Sequence, residues 1–232
     1  MATEFFEKYD ERYYKERITY VSKKHMIKFV KFLLKDKDTI RWLDVGCGLG
    51  LVVKEAVEEN IDCYGIDISE YAVNNAIIRD RVKVGSITDI PFADNTFDVV
   101  SAFDVIEHTH PKDTEKAISE IRRVLKDGGF LILTTPNPCG FSDYWVYDLT
   151  HVNVRPPKFW KEMLEKHGFK VKLSYTPTFL KYYISKKFSI TLSIPDTISF
   201  WLEEPFRHII GWLYNRKGRL YIFAKKTLVQ LI

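Results

Sequence analysis

The feature that most restricts the fold is the stretch TIRWLDVGCGLG, residues 39–50. An apolar run leads into a turn with glycines at positions 46, 48 and 50, and apolar residues at helical spacing follow. This order predicts a buried parallel strand, a tight loop and a helix. Because glycine has no side chain, a ligand can approach the backbone amides at the N-terminus of that helix. The loop is therefore predicted to bind a nucleotide or an adenosyl ligand.

Asp44 distinguishes between the two kinds of ligand that such a loop holds. Dinucleotide-binding enzymes use a related glycine turn, but a pyrophosphate beside Asp44 would meet a like charge, which weakens binding. S-adenosylmethionine instead carries an ammonium group and a sulfonium, and a carboxylate attracts both. The position of Asp44 just before the glycines therefore favours S-adenosylmethionine.

Length and composition exclude several other classes of protein. The 232 residues suffice for one domain with additions, and a net charge of +4 without an arginine-rich run disfavours nucleic acid as a partner. The cysteines at positions 47, 63 and 139 are odd in number and lack metal-ligand spacing, which disfavours disulfides and structural zinc. The charged N-terminus and the absence of a long apolar run lead us to expect a cytoplasmic protein.

A second carboxylate lies where a parallel sheet places a ribose acceptor. Asp67 falls in the apolar run 63–68, which reads as a buried strand, about 20 positions after Gly46. The alternative is that Asp67 only caps a helix predicted over 69–79. Ile68 would lie against the flat face of adenine.

Asp89 is the third carboxylate of this kind, and it follows a short strand predicted at 82–85. Its side chain is positioned to accept a hydrogen bond from an adenine amino group, and Ile90 would close the other side of the ring. The alternative for Asp89 is a simple turn residue before Pro91.

The fourth predicted strand, 97–103, runs into the polar sequence DVIEHTH. Ligands of doubly wound sheets bind outside the carboxyl ends of the strands, and four side chains fall there: Asp104, Glu107, His108 and His110. A metal site of His108, His110 and Asp113 is disfavoured because no second ligand cluster accompanies these residues. No metal is predicted.

The second half of the chain supplies the remaining elements. We expect a helix at 113–125 that stops at the glycines of KDGG, and then a strand at 130–135. The long loop after it is of the kind that forms lids and substrate walls, and His151 near its end has either an active-site or a structural role. Beyond the loop the sequence predicts a helix at 157–167 and strands at 170–175 and 219–226.

Two further segments flank this core. Helices predicted at 3–17 and 21–35 form an N-terminal helical cap over residues 1–38 beside a core over 39–232; either the pair simply packs on the sheet, or Tyr13 and Arg17 clamp the carboxylate of the ligand. Residues 178–217 combine nine aromatic residues with six Lys or Arg and three Asp or Glu. That mixture suits a membrane surface or lipid-tailed substrate, a dimer interface, or a cap over the substrate pocket.

The chain resembles the class I S-adenosylmethionine-dependent methyltransferases at five motifs in the expected order: LDVGCGLG, GIDIS, DIPF, FDVVSAFDVIEHT and LKDGGFLILTTPN. The resemblance covers residues 39–177. It implies an α/β fold with a doubly wound, Rossmann-like sheet of seven strands in the order 3-2-1-4-5-7-6, with strand 7 antiparallel. The segment 178–217 then becomes an insertion between strands 6 and 7.

The resemblance also implies roles for individual residues. Asp44, Gly46 and Gly48 would hold the methionine part of the cofactor. Asp67 would hold the ribose and Asp89 the adenine, and Phe103 would line the pocket. The product would be S-adenosylhomocysteine.

More narrowly, VIEHT and DLTHVNVRPPKFWKEMLEKHGF are similar to the small-molecule enzymes that include ubiquinone-biosynthesis O-methyltransferases and sugar methyltransferases. This implies methyl transfer to a small-molecule or lipid-like acceptor, most readily to oxygen. An acceptor hydroxyl must lose a proton, and the candidate general bases are His151, then His108, then Asp104. The alternatives are an inactive methyltransferase-like scaffold and, disfavoured by Asp44, a nicotinamide oxidoreductase.

Overall fold

The computed structural model of the chain describes residues 9–17, 23–138, 150–174 and 219–227. Its centre is one seven-stranded sheet in the order β3-β2-β1-β4-β5-β7-β6. The strands are β1 (Arg41–Val45), β2 (Asp62–Asp67), β3 (Val82–Val84), β4 (Phe97–Phe103), β5 (Leu125–Pro136), β6 (Phe169–Ser174) and β7 (Arg219–Lys226). Strand β7 is antiparallel to both β5 and β6, and the other pairs are parallel. The predicted sheet order and its antiparallel strand are confirmed.

Helices cover both faces of the sheet. They are α1 (Glu11–Arg17), α2 (Lys24–Leu33), α3 (Leu51–Glu58), α4 (Glu70–Asn74), α5 (Thr114–Val124) and α6 (Pro157–Lys166). Successive side chains of a strand point to opposite faces; Trp42 belongs to a core cluster with α2 and α3, whereas Leu43 and Val45 belong to one with α5 and α6. The sheet is therefore doubly wound, as predicted.

The parallel register brings the ends of four strands to one edge of the sheet. Asp44 of β1 is aligned with Gly65 of β2 and with Ser101 of β4, and Asp67 is aligned with Val84 of β3. Because all four strands run in the same direction, the loops that leave their carboxyl ends meet at this edge, where doubly wound sheets bind ligands.

The helix predicted over 69–79 is wrong in its length, because α4 ends at Asn74. The side-chain amide of Asn75 donates to the carbonyl of Tyr71, and the amide of Ile77 donates to the carbonyl of Leu49 at 2.9 Å. The second bond ties the chain after α4 to the glycine loop instead of continuing the helix. A short 3₁₀ turn, Arg79–Arg81, then leads into β3.

The prediction that KDGG ends a helix is also wrong, since α5 ends at Val124 and β5 begins at Leu125. Leu125 is aligned with Phe97, but the next aligned pair is Phe130 with Val99. The four residues between Leu125 and Phe130 therefore bulge out of the sheet. Gly128 allows this turn because its φ is +74°.

Several predictions concern residues outside the described ranges. These are the first part of the predicted helix 3–17, the loop residues 139–149 with Cys139, and the insertion 178–217 with its proposed membrane, dimer or cap roles. Among the residues that the structure does describe, no helix has the length and apolar character needed to cross a membrane.

Asp98, at the amino-terminal end of β4, joins three parts of the fold. Its side chain is 2% exposed and accepts hydrogen bonds from Lys37 at 2.6 Å, from Lys126 at 3.1 Å and from the Arg41 amide at 2.9 Å. Burial by itself would raise the pKa of Asp98, but these donors outweigh it and hold that pKa below its usual range. The carboxylate thus fixes the start of the central strands.

Replacing this carboxylate is expected to destabilise the protein. Asp98→Ala should lower the free energy of unfolding at pH 7 by about 2 kcal/mol, less than for a fully buried pair because both ammonium groups are partly exposed. Urea denaturation measures the change. The matched control is Asp80→Ala, because the Asp80 side chain is 81% exposed, and it should change stability by less than about 0.5 kcal/mol. Equal effects of the two substitutions would contradict this role for Asp98.

Candidate active site

The glycine loop between β1 and α3 has a backbone that other residues rarely adopt. Gly46, Gly48 and Gly50 have φ values of +68°, +53° and +77°. A Cβ atom on Gly46 would lie 2.3 Å from Cγ2 of Val105, so the loop packs directly against the chain that leaves β4. The amides of Gly46 and Cys47 both donate to the carbonyl of Ile66 at the end of β2.

Asp67, at the carboxyl end of β2, is the acceptor for three donors from different segments. Its carboxylate accepts from the Gly48 amide at 2.8 Å, from the Ser69 amide at 2.9 Å and from the Tyr14 hydroxyl at 3.1 Å. The side chain is 6% exposed, and burial raises its pKa despite these hydrogen bonds. A carboxylate has about four acceptor positions, so capacity remains for a ribose hydroxyl.

Asp44, at the end of β1, is buried more deeply. Its carboxylate accepts a 2.5 Å hydrogen bond from the Ser101 hydroxyl, which itself accepts from the Trp42 indole at 2.7 Å. Asp44 is 2% exposed, and burial raises its pKa to about 7, although the hydrogen bond from Ser101 and the charge of Lys23 act in the opposite direction. A cationic ligand beside Asp44 would offset part of this desolvation cost.

Lys23 is a part of the site that the sequence did not indicate. Its ammonium group lies 5.0 Å from the centre of the Phe103 ring, and its backbone amide donates to Glu55 at 2.9 Å. Phe103, predicted to line the cofactor pocket, is half-buried at the carboxyl end of β4. Lys23 precedes α2 in the chain, and no motif around it distinguishes it from the neighbouring lysines.

Helix α1 and the residues before it cover the glycine loop. Tyr14 donates to Asp67 and stacks on Tyr71 with ring centres 6.0 Å apart, and the carbonyl of Tyr9 accepts a 2.5 Å hydrogen bond from Ser69. Tyr13 makes edge-on contacts with the rings of Tyr9 and Tyr14. The side chain of Arg17 lies outside the described residues, so the clamp of Tyr13 and Arg17 stays a prediction.

The predicted adenine contacts fall in three different environments. Ile68 packs against the tyrosine cluster of Tyr9 and Tyr14. Asp89 is exposed, in a turn where its amide donates to Ser86 at 3.0 Å. Ile90 is 2% exposed and its side chain belongs to the main core cluster. The contacts of these residues with adenine stay predictions.

The chain after β4 is redirected by an unusual backbone at Asp104. Its φ is +57°, in the left-handed region that non-glycine residues seldom adopt. The Asp104 amide donates to the carbonyl of Thr134 at 3.0 Å, and the Thr134 hydroxyl donates to the Asp104 carboxylate at 3.1 Å. These contacts hold the turn that leads from the strand into a 3₁₀ segment, Ile106–His108.

The two predicted catalytic histidines come together at this segment. The rings of His108 and His151 have centres 4.8 Å apart, and the ligand atoms of both lie within 4.8 Å of each other and of a Glu107 carboxylate oxygen. Among the described residues this is the group that fits metal donors, and His110 and Asp113 do not belong to it. His110 is exposed, and its ring accepts from the Lys112 amide.

The histidine pair and the glycine loop are neighbours. Val105, which packs on Gly46, immediately precedes the Ile106–His108 turn. The ring of Tyr9 lies 6.0 Å from that of His108, while the Tyr9 carbonyl is bonded to Ser69 beside Asp67. The site therefore has two neighbouring halves, which we name after the roles predicted from the sequence: the donor half contains Asp44 and Asp67, and the acceptor half contains the imidazoles of His108 and His151.

The sheet order 3-2-1-4-5-7-6 with its antiparallel last strand is the fold of the S-adenosylmethionine-dependent methyltransferases, and a glycine loop between two carboxylates lies at the carboxyl edge of this sheet. The chain belongs to the methyltransferase-domain family, whose model matches residues 13–173. The cofactor class predicted from the sequence is confirmed with it.

Individual relatives differ in how much of the chain they share. An uncharacterised protein of Methanocaldococcus jannaschii is 28% identical over 196 residues, which are 83% of this chain and 82% of that one. A sterol 24-C-methyltransferase of Gibberella zeae is 39% identical over 103 residues, or 40% of this chain and 27% of the fungal one. This chain thus spans about a quarter of the fungal enzyme.

A solved structure extends the fold comparison. The crystal structure of a SAM-dependent methyltransferase from Archaeoglobus fulgidus matches with a TM-score of 0.65 and 23% identity. The match covers 94% of this chain and 100% of the archaeal one. At this identity the comparison supports the fold alone and says nothing about the methyl acceptor.

The buried charge of Asp44 gives a stability prediction. The folded-state pKa of about 7 lies above the usual value of 3.8, so folding binds a proton, and the contribution of Asp44 to stability is lost as the pH rises from about 4 to 7. Asp44→Asn should therefore stabilise the ligand-free protein by about 2 kcal/mol or more at pH 8, and by about 1 kcal/mol or less at pH 4.5.

Thermal unfolding of both proteins at the two pH values measures this difference. The Ser101 hydroxyl can still donate to the amide oxygen of the variant, so the packing is conserved. Stability of Asp44→Asn equal to or below that of the wild type at pH 8 would show that Asp44 is not a buried carboxylate held at an energetic cost.

Proposed function

We propose that the chain transfers the methyl group of S-adenosylmethionine to a small-molecule or lipid-like acceptor, and that the acceptor atom is oxygen. The observation that carries the proposal is the pairing of His108 and His151 beside the glycine loop, with ring centres 4.8 Å apart. An oxygen acceptor has to lose a proton during transfer, and positioned imidazoles are the side chains that most often promote such a loss. The polar acceptor half therefore suits a hydroxyl.

In the donor half, each carboxylate would hold a different part of the cofactor. Asp44 and the backbone of Gly46 and Gly48 would bind the methionine part, and Asp67 the ribose hydroxyls. The adenine would be bound by Asp89, between Ile68 and Ile90, and Phe103 would line the pocket. The support for this assignment is that the glycine loop, Asp44 and Asp67 share the carboxyl edge of β1 and β2.

When bound, S-adenosylmethionine supplies an activated methyl group: a lone pair of the acceptor oxygen forms the new bond to carbon, the carbon–sulfur bond breaks, and its electron pair stays on sulfur. The protein then mainly aligns the reactants, which is worth on the order of 7 to 11 kcal/mol of the barrier. His151 first, His108 second and Asp104 third are the groups that promote loss of the acceptor proton.

The acceptor class is proposed from the sequence of the insertion. Residues 178–217 interleave basic and aromatic residues, a composition that suits a lipid-like acceptor or contact with a membrane surface. The same composition suits a homodimer contact. The fungal relative is a sterol C-methyltransferase by name, so the test has to compare acceptor atoms.

The test is methyl transfer from radiolabelled S-adenosylmethionine to a panel of acceptors. The panel contains phenols, sugars and hydroxylated lipids, each paired with the matching amine and with the compound that lacks the hydroxyl. We expect label in products of the hydroxyl compounds alone. Label that appears only in amine products, or in the compounds without a hydroxyl, would contradict transfer to oxygen.

His151→Ala should separate catalysis from cofactor binding. The turnover number should fall by about 10² to 10⁴, the range for loss of a proton-transfer group, while the dissociation constant for S-adenosylmethionine changes less than about threefold. Steady-state kinetics and equilibrium dialysis give the two values. His110→Ala is the control, because His110 is exposed and near the pair in the chain.

A fall in cofactor affinity as large as the fall in turnover would place His151 in the donor half and contradict the assignment. Unchanged turnover would exclude His151 from acceptor activation.

A further inference from the structure

Three metal-binding side chains from two distant parts of the chain meet at the carboxyl end of β4. Ligand atoms of Glu107, His108 and His151 all lie within 4.8 Å of one another. Glu107 is 0% exposed and both histidines are half-buried. Two imidazole nitrogens and one carboxylate oxygen form a donor set that suits divalent first-row transition metals such as zinc, better than magnesium or calcium, which prefer oxygen ligands.

Hydrogen bonds hold the segment around His151 against the turn that contains Glu107 and His108. The Asn153 amide donates to the carbonyl of Glu107 at 2.9 Å, and the Asn153 side chain donates to the Thr114 hydroxyl at 2.9 Å. The Thr150 hydroxyl lies 2.9 Å from Nδ1 of His108. His151 therefore lies in the chain between Thr150 and Asn153, each of which is hydrogen-bonded to the Ile106–His108 turn.

The contact from Thr150 also bears on which nitrogen of His108 would bind an ion. With Nδ1 engaged by a hydroxyl, Nε2 is the nitrogen that would act as the ligand. Imidazole ligands of metals ordinarily have their second nitrogen fixed by a hydrogen bond, which sets the ring orientation. Thr150 would fix the ring orientation of His108 in this way.

We propose that Glu107, His108 and His151 bind one divalent transition-metal ion, and that this ion binds the acceptor oxygen. The chemical role rests on the proposed function, whereas metal binding itself can be tested without it. The three residues would supply three protein ligands, and the remaining coordination positions would be open to solvent or substrate, as in catalytic metal sites.

The spacing of the three side chains is compatible with one ion. With metal–ligand bonds of about 2.1 Å, ligand atoms around a single ion lie roughly 3 to 4 Å apart. The present separations of up to 4.8 Å would shorten by about 1 Å when the ion binds.

A metal ion would explain how the acceptor loses its proton. Binding to a divalent ion lowers the pKa of a coordinated hydroxyl by several units. The proton would leave to solvent, and a lone pair of the acceptor oxygen would form the bond to the methyl carbon while the carbon–sulfur electrons stay on sulfur. The imidazoles would then promote loss of the acceptor proton by holding the ion.

The alternative to a metal site is an ion pair between Glu107 and one of the histidines. A buried carboxylate is stabilised by hydrogen bonds, by a metal or by a positively charged partner, and a protonated imidazole next to Glu107 would be a partner of the last kind. A metal site requires that the protein bind an ion through these three residues, whereas an ion pair requires no metal ion.

The experiment measures metal binding by the intact chain. The purified protein is treated with a chelator, dialysed, checked by circular dichroism and titrated with Co²⁺, whose visible absorption reports coordination by nitrogen and oxygen; Zn²⁺ then competes. Elemental analysis after dialysis against Zn²⁺ gives the stoichiometry. We expect one ion per chain in the wild type and in the control variant His110→Gln.

The ligand variants should lose this ion. His151→Gln and Glu107→Gln should weaken Zn²⁺ binding by more than about 100-fold, since loss of a residue that only orients a metal ligand already costs about 10- to 100-fold. Thr150→Val should fall in that smaller range. His151 is half-buried, so His151→Gln keeps the test valid if the substitution of the buried Glu107 prevents folding.

Absence of bound Co²⁺ and Zn²⁺ in the wild type would overturn the inference in favour of the ion pair. Binding that is equally tight in His151→Gln and His110→Gln would also overturn it, because the ion would then lie elsewhere. Methyl transfer by the metal-free protein at the full rate would refute the role of the ion and leave the proposed function intact. If the ligand variants alone lose the metal but the wild type transfers no methyl group to any acceptor of the panel, the metal site is supported and the proposed methyl transfer to oxygen is contradicted.

Discussion

The buried carboxylate of Asp67 connects the three segments that we propose form the cofactor site. A charged group that is 6% exposed is costly unless hydrogen bonds satisfy it, and its three donors come from the glycine loop, the start of α4 and helix α1. Satisfying Asp67 therefore fixes the position of all three segments. The same requirement places the N-terminal tyrosines over the loop, because Tyr14 supplies one of the donors.

The opposite half of the site depends on a change of direction after β4. A side chain on Gly46 would collide with Val105, so the glycine loop and the end of β4 can lie this close only with glycine there. Asp104 then adopts a left-handed backbone that costs energy, and its hydrogen bonds with Thr134 of β5 offset that cost. The result is that Glu107 and His108 follow β4 at the edge where the cofactor loop begins.

The sheet topology was predictable because local patterns and motif order agree throughout the core. Short apolar runs that end in Asp44 and Asp67 are read correctly as parallel strands, since burial on both faces leaves a continuous apolar signal. The helix after Ser69 was overestimated because a tertiary hydrogen bond, from the Ile77 amide to Leu49, diverts the chain. The glycines of KDGG resemble a helix stop, and only the pairing of β4 with β5 shows that they form a bulge.

The site itself was predictable only in part. Asp44 and Asp67 lie at the carboxyl ends of β1 and β2, and the glycines follow β1, so their shared edge follows from the parallel order. The meeting of His151 with Glu107 and His108 depends on contacts through Thr150 and Asn153, between segments far apart in the chain, and no local pattern encodes them. Lys23 was missed for the same reason.

We propose that the carboxylates beside the glycine loop select an adenosyl ligand with a cationic methionine part. Calorimetric titration of the purified protein with S-adenosylmethionine, S-adenosylhomocysteine and NAD in parallel measures this selectivity. We expect binding of both adenosyl ligands in the micromolar range and no heat with NAD. Binding of NAD, or no binding of either adenosyl ligand, would show that the carboxylates do not select the ligand in this way.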